Sequence, residues 1–146
     1  MATYLDSSAI VKLAVREPES LALRRYLRRR QPLVSSALAR TEVLRALLPA
    51  GDEAVARGRS VLQRLDLVRV NDRVLTAAGM LSPAELRSLD AIHLTTAQQL
   101  GEELWAIVTY DDRMATAAKR LGYRIVQPYR AVPEPDDALS RLAVWR

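Results

Sequence analysis

Apolar positions along the chain form two kinds of pattern, which alternate from the first residues onward. Short apolar runs predict β-strands, and longer segments with apolar residues three and four positions apart predict helices. The predicted strands cover residues 2–5, 32–35, 67–70, 105–109 and 123–126. The predicted helices cover residues 8–15, 19–29, 37–48, 52–65, 71–81, 86–100 and 113–121. This alternation indicates an α/β fold with a mostly parallel sheet covered by helices on both faces.

Helix ends and a change in composition divide the chain further. Gly101 and Gly122 follow two predicted helices, and residues 82–85, Ser-Pro-Ala-Glu, have the form of a capping box before the sixth. A chain of 146 residues is typical of one domain. We assign that domain to residues 1–126, and the proline-containing segment 127–146 to an extension that packs on or near it.

Composition narrows the function classes. The chain has no cysteine, which excludes disulfides and thiolate metal sites. No apolar run approaches the length of a membrane span, and the first residues do not have the form of a secretory signal, so we expect a cytoplasmic protein without membrane contact. The net charge of +5, almost all from arginine, favours an acidic partner such as nucleic acid.

Two predicted helices carry an acid among apolar residues. In LRSLDAIHLTTA, Asp90 lies four positions from both Leu86 and Leu94, and in SALARTEVLRAL, Glu42 lies four positions from Leu38. At helical spacing each acid shares a face with apolar side chains. Because an unpartnered buried carboxylate is costly, such acids need a compensating group.

Two predicted strands end in an acid. Asp6 follows the first strand in TYLDSS, and Asp111 follows the fourth in IVTYDD. Ligands of open parallel sheets bind beyond the carboxyl ends of the strands, and these two ends can be neighbours. Taken singly, Asp6 and either Asp111 or Asp112 are better explained as helix caps, and Glu42 is better explained by pairing with an arginine.

One explanation covers all four acids. Clustered carboxylates repel one another unless a cation neutralises them, and Mg²⁺ or Mn²⁺ prefers oxygen ligands. Such an ion bridges carboxylates to phosphates and activates water, so the pattern favours metal-assisted phosphoryl chemistry.

The segments TYLDSSAIVKL, SSALARTEVLRAL, LRSLDAIHLTTA and VTYDDRMATAAKRLG resemble the PIN-domain nucleases, and most closely the VapC-type toxins of bacterial toxin–antitoxin pairs. The resemblance covers residues 3–126 in the family's order. It implies a three-layer α/β/α sandwich and Mg²⁺- or Mn²⁺-dependent cleavage of RNA that leaves a 5′-phosphate and a 3′-hydroxyl. It also implies inhibition by a cognate antitoxin protein and a homodimer.

Carried over by position, the family's acidic site falls on four residues: Asp6, Glu42, Asp90 and Asp111. Asp6, Asp90 and Asp111 are the predicted metal ligands, and Glu42 is predicted to orient a water or to complete a second site. The serines after Asp6 and the threonine before Tyr110 match polar positions of the family. Two features depart from the family's pattern. A second aspartate, Asp112, follows Asp111, and Thr95 stands where the family usually has a smaller residue.

Other features admit two interpretations. The five arginines between positions 24 and 30 form either a solvated face or a contact for RNA or an acidic antitoxin segment. His93, the only histidine, is interpreted as a packed or surface residue outside the site. The sequence contains neither the nucleophile motif of a serine hydrolase nor a P-loop motif, and neither of its lysines is placed as a receiver domain requires. The remaining alternative is a non-catalytic basic module that binds RNA or protein through structural acids.

Overall fold

The computed structural model describes residues 1–129 and shows five parallel strands with helices on both faces of the sheet. The strands are β1 Ala2–Leu5, β2 Leu33–Ser36, β3 Asp66–Val68, β4 Leu104–Val108 and β5 Ile125–Val126. The helices are α1 Ser7–Ala14, α2 Ser20–Leu27, α3 Ala39–Leu47, α4 Asp52–Gln63, α5 Asp72–Gly79, α6 Ser88–Gln98 and α7 Asp112–Arg120. Short 3₁₀ turns at Leu48–Ala50 and Gly101–Glu103 follow α3 and α6. Every predicted strand and helix is present, with its ends within two residues of the prediction.

The strand order is β3-β2-β1-β4-β5. β1 is therefore central, with β2 and β3 added outward on one side and β4 and β5 on the other. Neighbouring strands are parallel, and Leu5 of β1 is in register with Val108 of β4. The carboxyl ends of β1 and β4 therefore lie side by side at the point where the strand order reverses. Open α/β sheets bind ligands at this place. The expectation that the carboxyl ends of these two strands are neighbours is confirmed.

Alternating side chains of the central strands define two cores. Leu5 and Val108 pack with apolar residues of α1 to α4, whereas Tyr4 and Ile107 pack on the opposite face with residues of α6 and α7. Successive side chains of a strand point to opposite faces, so each strand contributes to both cores. The result is the predicted three-layer sandwich.

A glycine lets α4 pack closely against α3. A Cβ atom at Gly58 would lie 2.4 Å from Cδ1 of Leu47 and 3.6 Å from Cγ1 of Val43. Both of these side chains belong to α3 and are fully buried. Gly58 therefore helps to seat the helix that carries Glu42.

The start of α6 differs from the prediction. The helix begins at Ser88 rather than at Leu86, and the residue before it, Arg87, makes no side-chain capping bond. The predicted capping box at residues 82–85 is therefore wrong, because the Leu86 amide donates to the carbonyl of Pro83 in a turn at 3.0 Å. As a consequence, Asp90 lies in the first turn of α6, where free backbone N–H groups favour an acidic side chain.

The described part of the chain contains no helix long and apolar enough to cross a membrane. The segment from residue 130 to the C-terminus, with most of the predicted extension, lies outside the described residues.

Candidate active site

The two central strands deliver Asp6 and Thr109 to a common point. The Asp6 amide donates to the carbonyl of Val108 at 3.2 Å, which extends the pairing of β1 and β4 beyond their ends. The Thr109 hydroxyl then donates to Oδ2 of Asp6 at 2.5 Å. Both side chains are buried, so this bond ties the ends of the two strands together in an environment with little water.

Asp6 has the helix-capping role that the sequence offered as one of its two interpretations. It is the N-cap of α1, and its Oδ1 accepts from the Ala9 amide at 3.0 Å and from the Ser8 hydroxyl at 2.6 Å. Burial raises the pKa of Asp6, and the hydrogen bonds from Ser8 and Thr109 oppose that rise only in part. The capping bonds hold the carboxyl group rigidly at the edge of the sheet.

Of the two adjacent aspartates after β4, only Asp111 faces the other acids. It is the N-cap of α7, with Oδ1 accepting from the amides of Arg113 and Met114 at 2.9 and 3.0 Å. Its Oδ2 is left to accept from Nη2 of Arg87 at 2.8 Å. Asp112 is the first residue of α7, is exposed, and lines a different cavity.

Asp90 reaches the same place from α6, which packs on the face of the sheet opposite to α1 and α3. Its side chain is 16% exposed, and its Oδ2 accepts from Nε of Arg87 at 3.3 Å. Burial raises the pKa of Asp90, and the negative charge of Asp111 raises it further, against the opposing effect of Arg87. The carboxylates of Asp90 and Asp111 therefore repel each other, and the guanidinium of Arg87 forms an ion pair with both.

Glu42 is held by a hydrogen-bonded chain that the sequence interpretation missed. Its Oε1 accepts from the Ser7 hydroxyl at 2.7 Å and lies 2.6 Å from Nε2 of His93. Nδ1 of His93 lies 2.7 Å from the Tyr4 hydroxyl. Burial alone would raise the pKa of Glu42, but the hydrogen bond and charge of His93, together with Ser7, bring it below its usual range.

Of the two interpretations of His93, packed or surface, the packed one is correct, since His93 is 2% exposed; it also contacts Glu42 directly and lines the same cavity. The signal was present in the sequence: His93 follows Asp90 by three positions and so shares its helix face. Its partner, however, is 51 residues away along the chain, and no local pattern identifies it.

These side chains line one cavity of about 380 Å³, hereafter the acidic cavity. Its lining consists of Asp6, Ser7, Ser8, Glu42, Arg87, Ser88, Leu89, Asp90, His93 and Asp111. All four predicted site acids are brought together here, from four separate parts of the chain.

The acidic cavity suits a hard divalent cation by its donor chemistry. Four carboxylates face it, and Mg²⁺ is commonly bound by one or two carboxylates while it retains several waters. Within residues 1–129, however, no group of three acidic or histidine side chains is placed to hold a metal ion. Asp90 and Asp111 are spanned by Arg87, and Glu42 is held by His93. The assignment of Asp6, Asp90 and Asp111 as metal ligands therefore stays a prediction.

The arginine run lies away from these acids. Arg24 and Arg28 line a second cavity on the α2 side of the molecule. The guanidinium of Arg30 stacks over the rings of Tyr26 and Trp105, with 5.2 and 5.1 Å to the ring centroids. Part of the run is thus used in packing, and none of it lines the acidic cavity.

Comparisons with known proteins agree with this architecture. The PIN domain family model matches residues 3–120. Ribonuclease VapC46 of Mycobacterium tuberculosis strain ATCC 25618 / H37Rv is 66% identical over 127 residues, which cover 87% of this chain and 98% of that protein. Ribonuclease VapC35 of the same strain is 46% identical over 134 residues, covering 88% of this chain and 98% of that protein.

Two solved structures share the fold. The crystal structure of Mycobacterium tuberculosis VapC20, described as a sarcin-ricin loop cleaving toxin, superposes with a TM-score of 0.70 at 14% identity, covering 87% of this chain and all of that one. A toxin–antitoxin complex from Klebsiella pneumoniae gives 0.66 at 18% identity, with 89% and 100% covered.

The chain belongs to the PIN-domain family and is closely related to the VapC ribonucleases. The predictions of a PIN-like nuclease fold and of a VapC-type ribonuclease toxin are confirmed by these comparisons.

Proposed function

We propose, from the premise that this chain is a PIN-domain protein related to VapC ribonucleases, that the acidic cavity is its catalytic centre for RNA hydrolysis. The observation that carries the proposal is the convergence of Asp6, Glu42, Asp90 and Asp111 on one cavity at the carboxyl edge of the sheet. Acids with only structural roles would not have to line one cavity, since a helix cap or an ion pair could stabilise each carboxylate separately.

The proposed roles follow from what each carboxylate touches. Asp6, Asp90 and Asp111 would hold a divalent ion, with Mg²⁺ or Mn²⁺ as the candidates. When bound, this ion supplies water activation and stabilises negative charge on the phosphate. Asp6 and Asp111 are fixed by helix-capping bonds, so their carboxyl groups need no reorganisation when the ion binds.

Glu42 is proposed to orient the attacking water. One of its oxygens is held by Ser7 and His93, which leaves its second oxygen to accept from a water in the cavity. The lowered pKa keeps Glu42 ionised and therefore able to accept. The water oxygen bonds to phosphorus in line with the 3′-oxygen and loses a proton, the P–O3′ bond breaks, and the departing oxygen takes up a proton. The products are a 5′-phosphate and a 3′-hydroxyl.

The decisive experiment compares acids inside and outside the cavity. We expect Asp6→Asn, Asp90→Asn and Asp111→Asn each to lower cleavage of an end-labelled RNA pool by at least ~10³-fold, about 4 kcal/mol of transition-state stabilisation. Asparagine can replace aspartate as an N-cap, so the thermal midpoints of Asp6→Asn and Asp111→Asn should change little. Asp112→Asn is the matched control, because it removes the same charge one residue away, and its rate should stay within ~3-fold.

Two results would contradict the proposal. Cleavage that persists in EDTA would exclude the divalent ion. Wild-type rates in any of the three cavity variants would assign the acids a structural role and favour the non-catalytic binding module.

The partners are proposed on chemical grounds. A net charge of +5 suits an RNA substrate, and it also suits an acidic segment of a cognate antitoxin that would block the cavity. We further propose a homodimer that acts in the cytoplasm. Light scattering of the purified chain, alone and with its antitoxin, would give the assembly size directly.

A further inference from the structure

Arg87 occupies a special position in the acidic cavity. It precedes α6, and its side chain is 59% exposed, so the guanidinium reaches in from the rim. There it bridges two carboxylates from different elements, with Nε 3.3 Å from Oδ2 of Asp90 and Nη2 2.8 Å from Oδ2 of Asp111.

The oxygens that Arg87 contacts are those that a metal ion would need. Oδ1 of Asp111 is already committed to the amides of Arg113 and Met114, so Oδ2 is its available oxygen. Arg87 takes that oxygen and one oxygen of Asp90 together. A divalent ion that binds these two oxygens therefore competes with the guanidinium of Arg87.

The bridge is also weak enough to be displaced. Exposed ion pairs contribute little, because water screens them and the long side chain loses conformational freedom. Neither contact is bidentate to a single carboxylate, the geometry in which arginine binds most strongly. An ion of twice the charge can therefore replace it.

We propose that Arg87 is an exchangeable counterion of the acidic cavity. It neutralises the repulsion between Asp90 and Asp111 in the metal-free protein and leaves Asp111 when a divalent ion binds. Arg87 thereby sets the metal affinity of the site. This inference rests on the proposed metal site.

Calorimetric titration with Mn²⁺ tests the exchange. We expect Arg87→Gln to bind Mn²⁺ about 3- to 10-fold more tightly than the wild type, since the ion no longer competes with two ion pairs. Arg87→Lys should fall between them, because an ammonium group does not span two carboxylates as a guanidinium does. Arg120→Gln removes the same charge from the far end of α7 and controls for the general effect of net charge.

Thermal midpoints give a second measurement that does not depend on activity. In EDTA, Arg87→Gln should melt below the wild type, because Asp90 and Asp111 repel each other without a counterion. Saturating Mn²⁺ should raise its midpoint by more than that of the wild type, in line with the tighter binding. A large drop in the EDTA midpoint of Arg87→Gln would indicate that this variant misfolds. Arg87→Lys would then be compared with the wild type instead.

The outcomes separate this inference from the proposed function. Equal or weaker Mn²⁺ binding by Arg87→Gln, with the wild type binding normally, would overturn the exchange and leave the metal site standing. Absence of Mn²⁺ binding by the wild type and both Arg87 variants would overturn both. Binding by Arg87→Gln that is tighter than that of Arg120→Gln would support the exchange.

Discussion

Two cavities of about 380 Å³ each lie at opposite edges of the same sheet, and their chemistry differs completely. The acidic cavity lies at the carboxyl edge. The second, hereafter the arginine groove, lies at the amino edge and is lined by Leu13, Arg24, Leu27, Arg28, Gln31, Leu33, Val61, Arg64 and Leu65. Volume alone does not distinguish the two, so the candidate active site is identified from its side chains.

Helix polarity explains which charge collects at which edge. At the carboxyl edge, Asp6 and Asp111 cap the N-termini of α1 and α7, where free N–H groups attract carboxylates. At the opposite end of α1, Arg24 donates to the carbonyl of Leu13 at 2.8 Å and Arg57 to that of Ala14 at 2.7 Å. The side chains that bind the helix ends are thus acids at the carboxyl edge and arginines at the amino edge.

After the carboxylates themselves, the largest effect expected at the acidic edge comes from His93. His93→Ala removes the partner of both Glu42 and Tyr4, and we expect cleavage to fall about 10- to 100-fold, as for lost supporting contacts around metal sites. The unpaired buried groups should also lower the free energy of unfolding by about 2–3 kcal/mol. Kinetics on a defined RNA should show the loss in kcat with KM little changed.

His93→Gln is the control, because its amide can still donate to Glu42 and should restore part of kcat. If His93→Ala lowered stability but left kcat unchanged, His93 would be a packing residue, and only the carboxylates of the acidic edge would contribute to cleavage.

A smaller effect is expected from pH. Burial raises the pKa of Asp6, and burial together with the charge of Asp111 raises that of Asp90. Both must be ionised to bind a cation, so protons compete, and affinity should fall about tenfold per pH unit for each proton displaced. Calorimetry at a series of decreasing pH values should therefore show progressively weaker Mn²⁺ binding once the pH falls through these raised pKa values.

The sign for stability is opposite in the metal-free protein. A carboxyl group whose pKa is raised by folding stabilises the folded state below its unfolded pKa, and that contribution is lost as pH rises through the folded pKa. Glu42, whose pKa is lowered, behaves in the reverse way. The stabilisation by Mn²⁺ should therefore decrease as the pH falls through the raised pKa values of Asp6 and Asp90. Stabilisation that stays the same down to the lowest pH at which the protein is folded would show that Asp6 and Asp90 do not bind the ion.

The smallest effect is expected in the arginine groove. Arg28→Gln and Arg64→Gln lie at the other edge of the sheet, so Mn²⁺ affinity and kcat should change by less than about 2-fold, and stability by about 0.5 kcal/mol or less. The dependence of RNA affinity on salt provides the sharper measurement. A slope that becomes shallower by about 1 for each lost arginine would show that RNA extends from the acidic cavity to the groove.

The sequence by itself determined the order of strands and helices along the chain and the acids to examine. Hydrophobic periodicity is a local property, and it located every described strand and helix to within two residues. Asp6 and Asp111 stood out because they directly follow apolar strands. The start of α6 was misjudged, because the Leu86 turn mimics one more turn of helix in its apolar spacing.

Only the tertiary structure decided which polar groups meet. It placed Asp111 rather than Asp112 at the acidic cavity, brought His93 onto Glu42, and laid Arg87 across Asp90 and Asp111. Glu42 and His93 are 51 positions apart, and Arg87 and Asp111 are 24 apart. Such contacts depend on strand order and on how helices of opposite faces converge at one edge, and neither is encoded in local spacing.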